Sequence, residues 1–179
     1  MNLKNISRDD LINIMKASLK SSNNLSPDIS AIALDSLNAD NMRLVIKFYN
    51  PGYFGGYVGI PKEFSSYNID VYDDAIYNFE QNIHGGITYI DYKEPHISKD
   101  IDRRWFGFDY NHQYDKKDIK LAEEIFGVDR TSKSVYNSYF YFNDSLNPHD
   151  FKDALTDINT LVNALKDYEM DRIVKKDIE

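Results

Sequence analysis

The chain contains no cysteine, which excludes disulfides, thiolate metal ligands, iron–sulfur clusters and cysteine nucleophiles. Its fold has to rest on packing alone. Nowhere does a run of apolar residues approach the ~20 needed to span a bilayer. The first residues carry Lys4, Arg8, Asp9 and Asp10 and no apolar stretch of signal-peptide length, so the expected location is the cytoplasm. Positive charge is also scarce: 21 Lys and Arg stand against 29 Asp and Glu, for a net charge of -8. Duplex nucleic acid and anionic membranes are therefore poor partners, because both are bound through clustered Lys and Arg.

What is present is apolar and aromatic mass. Of 179 residues 42% are hydrophobic and 14% aromatic, with 14 Tyr and 10 Phe, enough to bury a real core. The acidic excess is concentrated, since residues 67–102 hold eight acids against only Lys93 and Lys99. Asp70, Asp73 and Asp74 form its densest part and make a candidate acidic patch for a basic protein surface. The bland role for the same charge is a solvated face that keeps the protein soluble.

Ser7 and Asp10 make a capping-box-like start, after which Leu11, Ile14, Met15 and Leu19 recur at helical spacing. Ser26-Pro27 reads as the cap and first position of a second short helix with Ile29, Ile32, Ala33 and Leu37 on its stripe. A DNA-reading pair is excluded, because that second segment carries Asp28 and Asp35 and no basic residue. From Met42 the pattern becomes β-branched and aromatic, and Asn50-Pro51-Gly52 turns it into a hairpin that resumes at Gly55–Ile60. Gly52, Gly55, Gly56 and Gly59 fit no phosphate-loop spacing. They suit a strand across whose bare backbone large aromatic rings can lie. Residues 67–82 match both a helical and a strand pattern. Strands are expected at 87–92, 104–110 and 135–142, with a short helix over 119–126 ended by Gly127 and a long one opening at Asn147-Pro148. The expected architecture is α+β: a mostly antiparallel sheet, two N-terminal helices, and a long C-terminal helix packed on one face. Residues 1–40 form an N-terminal helical segment and 41–179 the domain proper, together one compact unit.

Antiparallel pairing of 87–92 with 104–110 sets the start of the first strand beside the end of the second. His84, Asp109 and His112 then share one edge of the sheet, next to Gly85 and Gly86 and to the ring pair Trp105 and Phe106. Three roles are open to this group. The histidines and aspartate could be a hydrogen-bonded network that only fixes the strand ends. They could form a recognition site in which imidazoles, glycine amides and the two rings grip a nucleotide-like ligand or a protein anchor. Or His84, Asp109 and His112 could hold Zn or Mn with an open position for water, as in a small metal-dependent hydrolase. Turn and cap roles suffice for His96 and His149.

The segments Gly56-Tyr57-Val58-Gly59-Ile60-Pro61, His84-Gly85-Gly86-Ile87-Thr88-Tyr89 and Trp105-Phe106-Gly107-Phe108-Asp109-Tyr110-Asn111-His112 resemble a widespread family of small uncharacterised proteins of phage and prophage genomes. The resemblance runs over about 55–165 and departs where that family often has Cys, at Tyr110, so no thiol role operates here. It implies a bacterial-host setting and assigns no reaction. The expectation is a non-enzymatic accessory protein, without a cofactor, that binds a host protein or nucleotide signal and antagonises a host defence system. The alternatives are the hydrolase and an acidic mimic of DNA that blocks a nucleic-acid-binding enzyme.

Overall fold

A computed structural model describes residues 5–93, 102–112, 115–131 and 147–176. Helix α1 (Arg8–Ser18) opens where Ser7 accepts the Asp10 amide, and it buries Leu11, Ile12 and Met15. The segment expected to be a second helix is instead strand β1 (Ser30–Leu37). As a helix it would bury Ile29 and Leu37, yet these stand 58% and 61% exposed. A strand serves the core better. Ile32 faces one side of the sheet while Ala31, Ala33 and Leu34 face the other, an arrangement made possible by a register shift between Ile32 and Leu34. Tertiary pairing overrides local periodicity here. The Ser18 hydroxyl accepts the Ile32 amide and ties α1 to this strand.

Strands β2 (Arg43–Tyr49) and β3 (Tyr53–Pro61) form the expected hairpin. Strand β5 (Arg103–Asp109) pairs with β3, and β4 (Tyr89–Asp91) covers its other edge, so the sheet order is β1-β2-β3-β5-β4, antiparallel throughout. The open segment 67–82 resolves into a 3-10 turn (Ser65–Asn68) and helix α2 (Asp74–Glu80), at whose start the Asp73 carboxylate accepts the Ala75 amide. Helix α3 (Ile119–Phe126) ends at Gly127 as expected, with φ at +90°. The long helix α4 (Phe151–Lys176) lies across β3. Phe151, Ala154, Leu155, Ile158, Leu161, Val162 and Leu165 form its buried stripe. The strand expected at 135–142, with its row of tyrosines, and His96 lie outside the described residues.

Strand alternation sorts the sheet into two faces. Phe48, Phe54, Phe106, Phe108 and Tyr110 join the core under α1 and α4, while Val45, Tyr57 and Trp105 form a second cluster with Ile32. The glycines of β3 allow this packing. A Cβ on Gly59 would stand 2.8 Å from the Trp105 ring, so the indole lies flat on bare backbone. Among the described residues no helix is long and apolar enough to cross a membrane.

Candidate functional site

β4 and β5 pair with Tyr89 opposite Gly107 and Asp91 opposite Trp105. That register brings the turn before β4 beside the turn after β5, and the His84 and His112 rings stand 5.4 Å apart. The carboxylate between them is not Asp109 but Asp115. His84 Nε2 lies 2.8 Å from Asp115 Oδ1, and His112 Nδ1 lies 2.9 Å from Asp115 Oδ2. The His112 amide also donates to Oδ2 at 2.9 Å, so Asp115 closes its own turn as it joins the two rings. The Asp115 side chain is only 6% exposed, whereas those of His84 and His112 are 41% and 34% exposed. Burial pushes the Asp115 carboxyl up. The His112 amide and the two imidazoles outweigh that and hold it below the ordinary carboxylate range.

Asp109 is kept out by alternation along β5. Phe108 and Tyr110 flank it on the helix-covered side of the sheet, so its own side chain belongs to the opposite face. There it accepts the Thr88 hydroxyl at 2.8 Å and the Asn111 amide at 3.0 Å, which fixes the entry to β4 and the exit from β5. Trp105 and Phe106 do not form a gripping pair. Both are fully buried on opposite faces, Trp105 with Tyr57 and Val45 and Phe106 edge-on to Phe79. Of the two glycines beside His84, Gly86 is not a free donor. Gly86 donates to the Ile83 carbonyl, and a Cβ on Gly85 would stand 1.9 Å from His112 Cε1. With φ at +72°, Gly85 makes room for an imidazole of its own chain.

His149 joins the group, contrary to the expectation that it only shapes a turn. Its ring stacks on Tyr110 at 4.4 Å and packs 4.3 Å from His84, with Nε2 3.9 Å from Asp115 Oδ1. Its Nδ1 lies 3.4 Å from Asp153 Oδ2 on the first turn of α4. Tyr110 is the floor of the cluster. It is 1% exposed, and its hydroxyl donates to Asp157 Oδ2 at 2.8 Å. Burial and the neighbouring Asp157 push that phenol far above its usual range. The same Asp157 oxygen accepts the His84 amide at 3.3 Å, so α4 orients both the floor and the turn that carries His84. Below the floor, Lys117 Nζ donates to the Tyr110 carbonyl at 2.7 Å and stands over the Tyr53 ring. Burial lowers that ammonium to about 8.

Asp115 carried a sequence signal in its spacing, since His112 and Asp115 are three apart and a turn joins them. His149 carried none, because only the docking of α4 places it. The acidic trio does local work: Asp70 accepts the Tyr72 amide, Asp73 caps α2, and Asp74 lies in the first turn of that helix. Compared with protein families, curated proteins and solved structures, the chain matches none.

Proposed function

We propose that His84, His112 and Asp115 form a divalent transition-metal centre for zinc or manganese, and that the protein is a small metal-dependent hydrolase. One observation carries this reading: one donor atom from each of the three residues lies within 4.8 Å of the others at a partly exposed edge of the fold. Donors bound tetrahedrally at ~2.0 Å stand roughly 3.3 Å apart. The two imidazole–carboxylate pairs, now at 2.8 and 2.9 Å to different Asp115 oxygens, would have to open by about half an ångström and all three donors be drawn from within 4.8 Å of one another to about 3.3 Å. Two imidazoles and one carboxylate are a donor set that leaves a fourth position open. An ion held there supplies an acidified water and polarises a carbonyl or phosphoryl oxygen.

The remaining residues hold and orient. The His112 amide keeps Asp115 aimed at the rings, Gly85 seats the His112 ring, and Tyr110 with Asp157 fixes the level of His84. His149, between Asp115 and Asp153, is placed to take or return a proton at the rim.

The test is calorimetric titration of the chelator-stripped chain with zinc chloride, followed by zinc-dependent release of p-nitrophenol from carboxylic and phosphoric p-nitrophenyl esters. One ion per chain is expected, with Asp115→Asn and His84→Ala each weakening it at least tenfold, the loss typical of altered metal surroundings. Asp109→Asn leaves zinc affinity unchanged. Absence of zinc binding in the wild type overturns the metal centre and leaves the cluster as a hydrogen-bonded recognition edge. Zinc binding without turnover overturns the hydrolase.

A further inference from the structure

Beside the imidazole cluster a half-open cavity of about 300 Å³ lies at the converging starts of α1, α3 and α4. Leu11, Phe54, Leu121 and Phe151 form its apolar wall. That volume is some ten times the ~30 Å³ share of one liquid water and at the lower bound of small-molecule pockets, ~300 Å³.

The charges at the rim are mostly committed. Asp118 and Asp150 accept the free amides of their own helices, and Arg8 pairs with Glu124 at 2.8 Å. Lys152 adds an exposed ammonium. His149 is the side chain shared by cavity and cluster: it lines the cavity and packs 4.3 Å from His84.

We infer that this cavity is the apolar subsite of the His84–His112–Asp115 site. It takes the compact aromatic or branched aliphatic part of a small molecule whose carbonyl or phosphoryl end meets the imidazoles across His149. The inference rests on the proposed function for the polar end of that molecule. The apolar walls select the hydrocarbon part by removing it from water.

Phenylphosphonate and methylphosphonate, which share a head and differ in the ring, separate the two parts when titrated into zinc-free and zinc-loaded protein. Phenylphosphonate is expected to bind at least about tenfold more tightly, from the ring area removed from water. Nuclear Overhauser effects should connect its ring protons to the methyl groups of Leu11 and Leu121. Leu121→Trp, which fills the cavity, should abolish the preference while zinc affinity shows that the cluster is still formed. The wild-type Overhauser contacts decide the matter if that variant does not fold. Equal binding of the two phosphonates, or ring contacts elsewhere, overturns the inference and leaves the metal centre to its own titration. A ring preference with these contacts in a protein that binds no zinc supports the apolar subsite and overturns the metal centre.

Discussion

Replacing Gly85 with alanine tests how the cluster is held together. The new Cβ would lie 1.9 Å from His112 Cε1 and 2.1 Å from Nε2, whereas ordinary contact begins at 3.4 Å, so the ring must retreat by about 1.5 Å. A movement of that size takes Nδ1 beyond hydrogen-bonding reach of Asp115 Oδ2, now 2.9 Å away. Loss of a bond to a carboxylate costs ~1.5–3 kcal/mol, with the lower end apt for a ring 34% exposed. Holding alanine at φ +72° adds ~1–2 kcal/mol. Gly85→Ala should therefore lower unfolding free energy by about 3 kcal/mol. In a His112→Ala background only the backbone cost of ~1–2 kcal/mol remains. Urea denaturation of the four proteins of this double-mutant cycle measures the coupling, expected at about 1.5 kcal/mol or more. Zinc affinity of the single variant should fall at least tenfold, since one donor is displaced. An equal cost of Gly85→Ala in both backgrounds would refute the reasoning, because it would mean that the imidazole does not occupy the space over Gly85.

Two further outcomes follow from the second face of the sheet. Burial lowers the Lys47 ammonium from 10.5 to about 8, which is about 3 kcal/mol at 1.36 kcal/mol per pH unit. The folded chain has lost this proton between pH 8 and 10.5 while the unfolded chain keeps it, so the contribution to stability rises with pH across that window and the penalty is fully present below it. The stability of Lys47→Met relative to wild type should therefore decrease by about 1–3 kcal/mol from pH 7 to pH 10; a constant difference in chemical denaturation would count against a charged, buried Lys47. Gly59→Ala should cost about 1–3 kcal/mol by overpacking, because the indole at 2.8 Å has a fully buried neighbourhood into which to retreat. Trp105 is the only tryptophan, so its emission should shift together with the unfolding midpoint, and an unchanged spectrum and midpoint would contradict the close packing.

Much of the fold was legible in local chemistry. Ser7 starts α1, Asn50-Pro51-Gly52 turns the β2–β3 hairpin, Gly127 ends α3, and the apolar stripe from Phe151 to Leu165 identifies α4. Each signal lies within a few residues of the structure it specifies, as caps, turns and helical periodicity do. The pairing of β4 with β5, and with it the meeting of His84 and His112, also followed from two strand patterns and the loop between them.

The sequence by itself determined that the protein is α+β, that no thiol takes part, and that two histidines 28 positions apart meet at one sheet edge. Tertiary structure alone decided which acid joins them and what lies beneath. Ser30–Leu37 became a strand because β2 offered an edge and both sheet faces offered a core, which helical spacing in eight residues could not outweigh. Asp109 was turned away by the two-residue alternation of β5, and Asp115 took its place by closing a turn on His112. His149, Tyr110 and Asp157 came together because α4 docks across the sheet, and a contact between residues 84 and 149 has no trace in local pattern. Long-range contacts of this kind arise from the burial of whole faces, and burial depends on where every other element has packed.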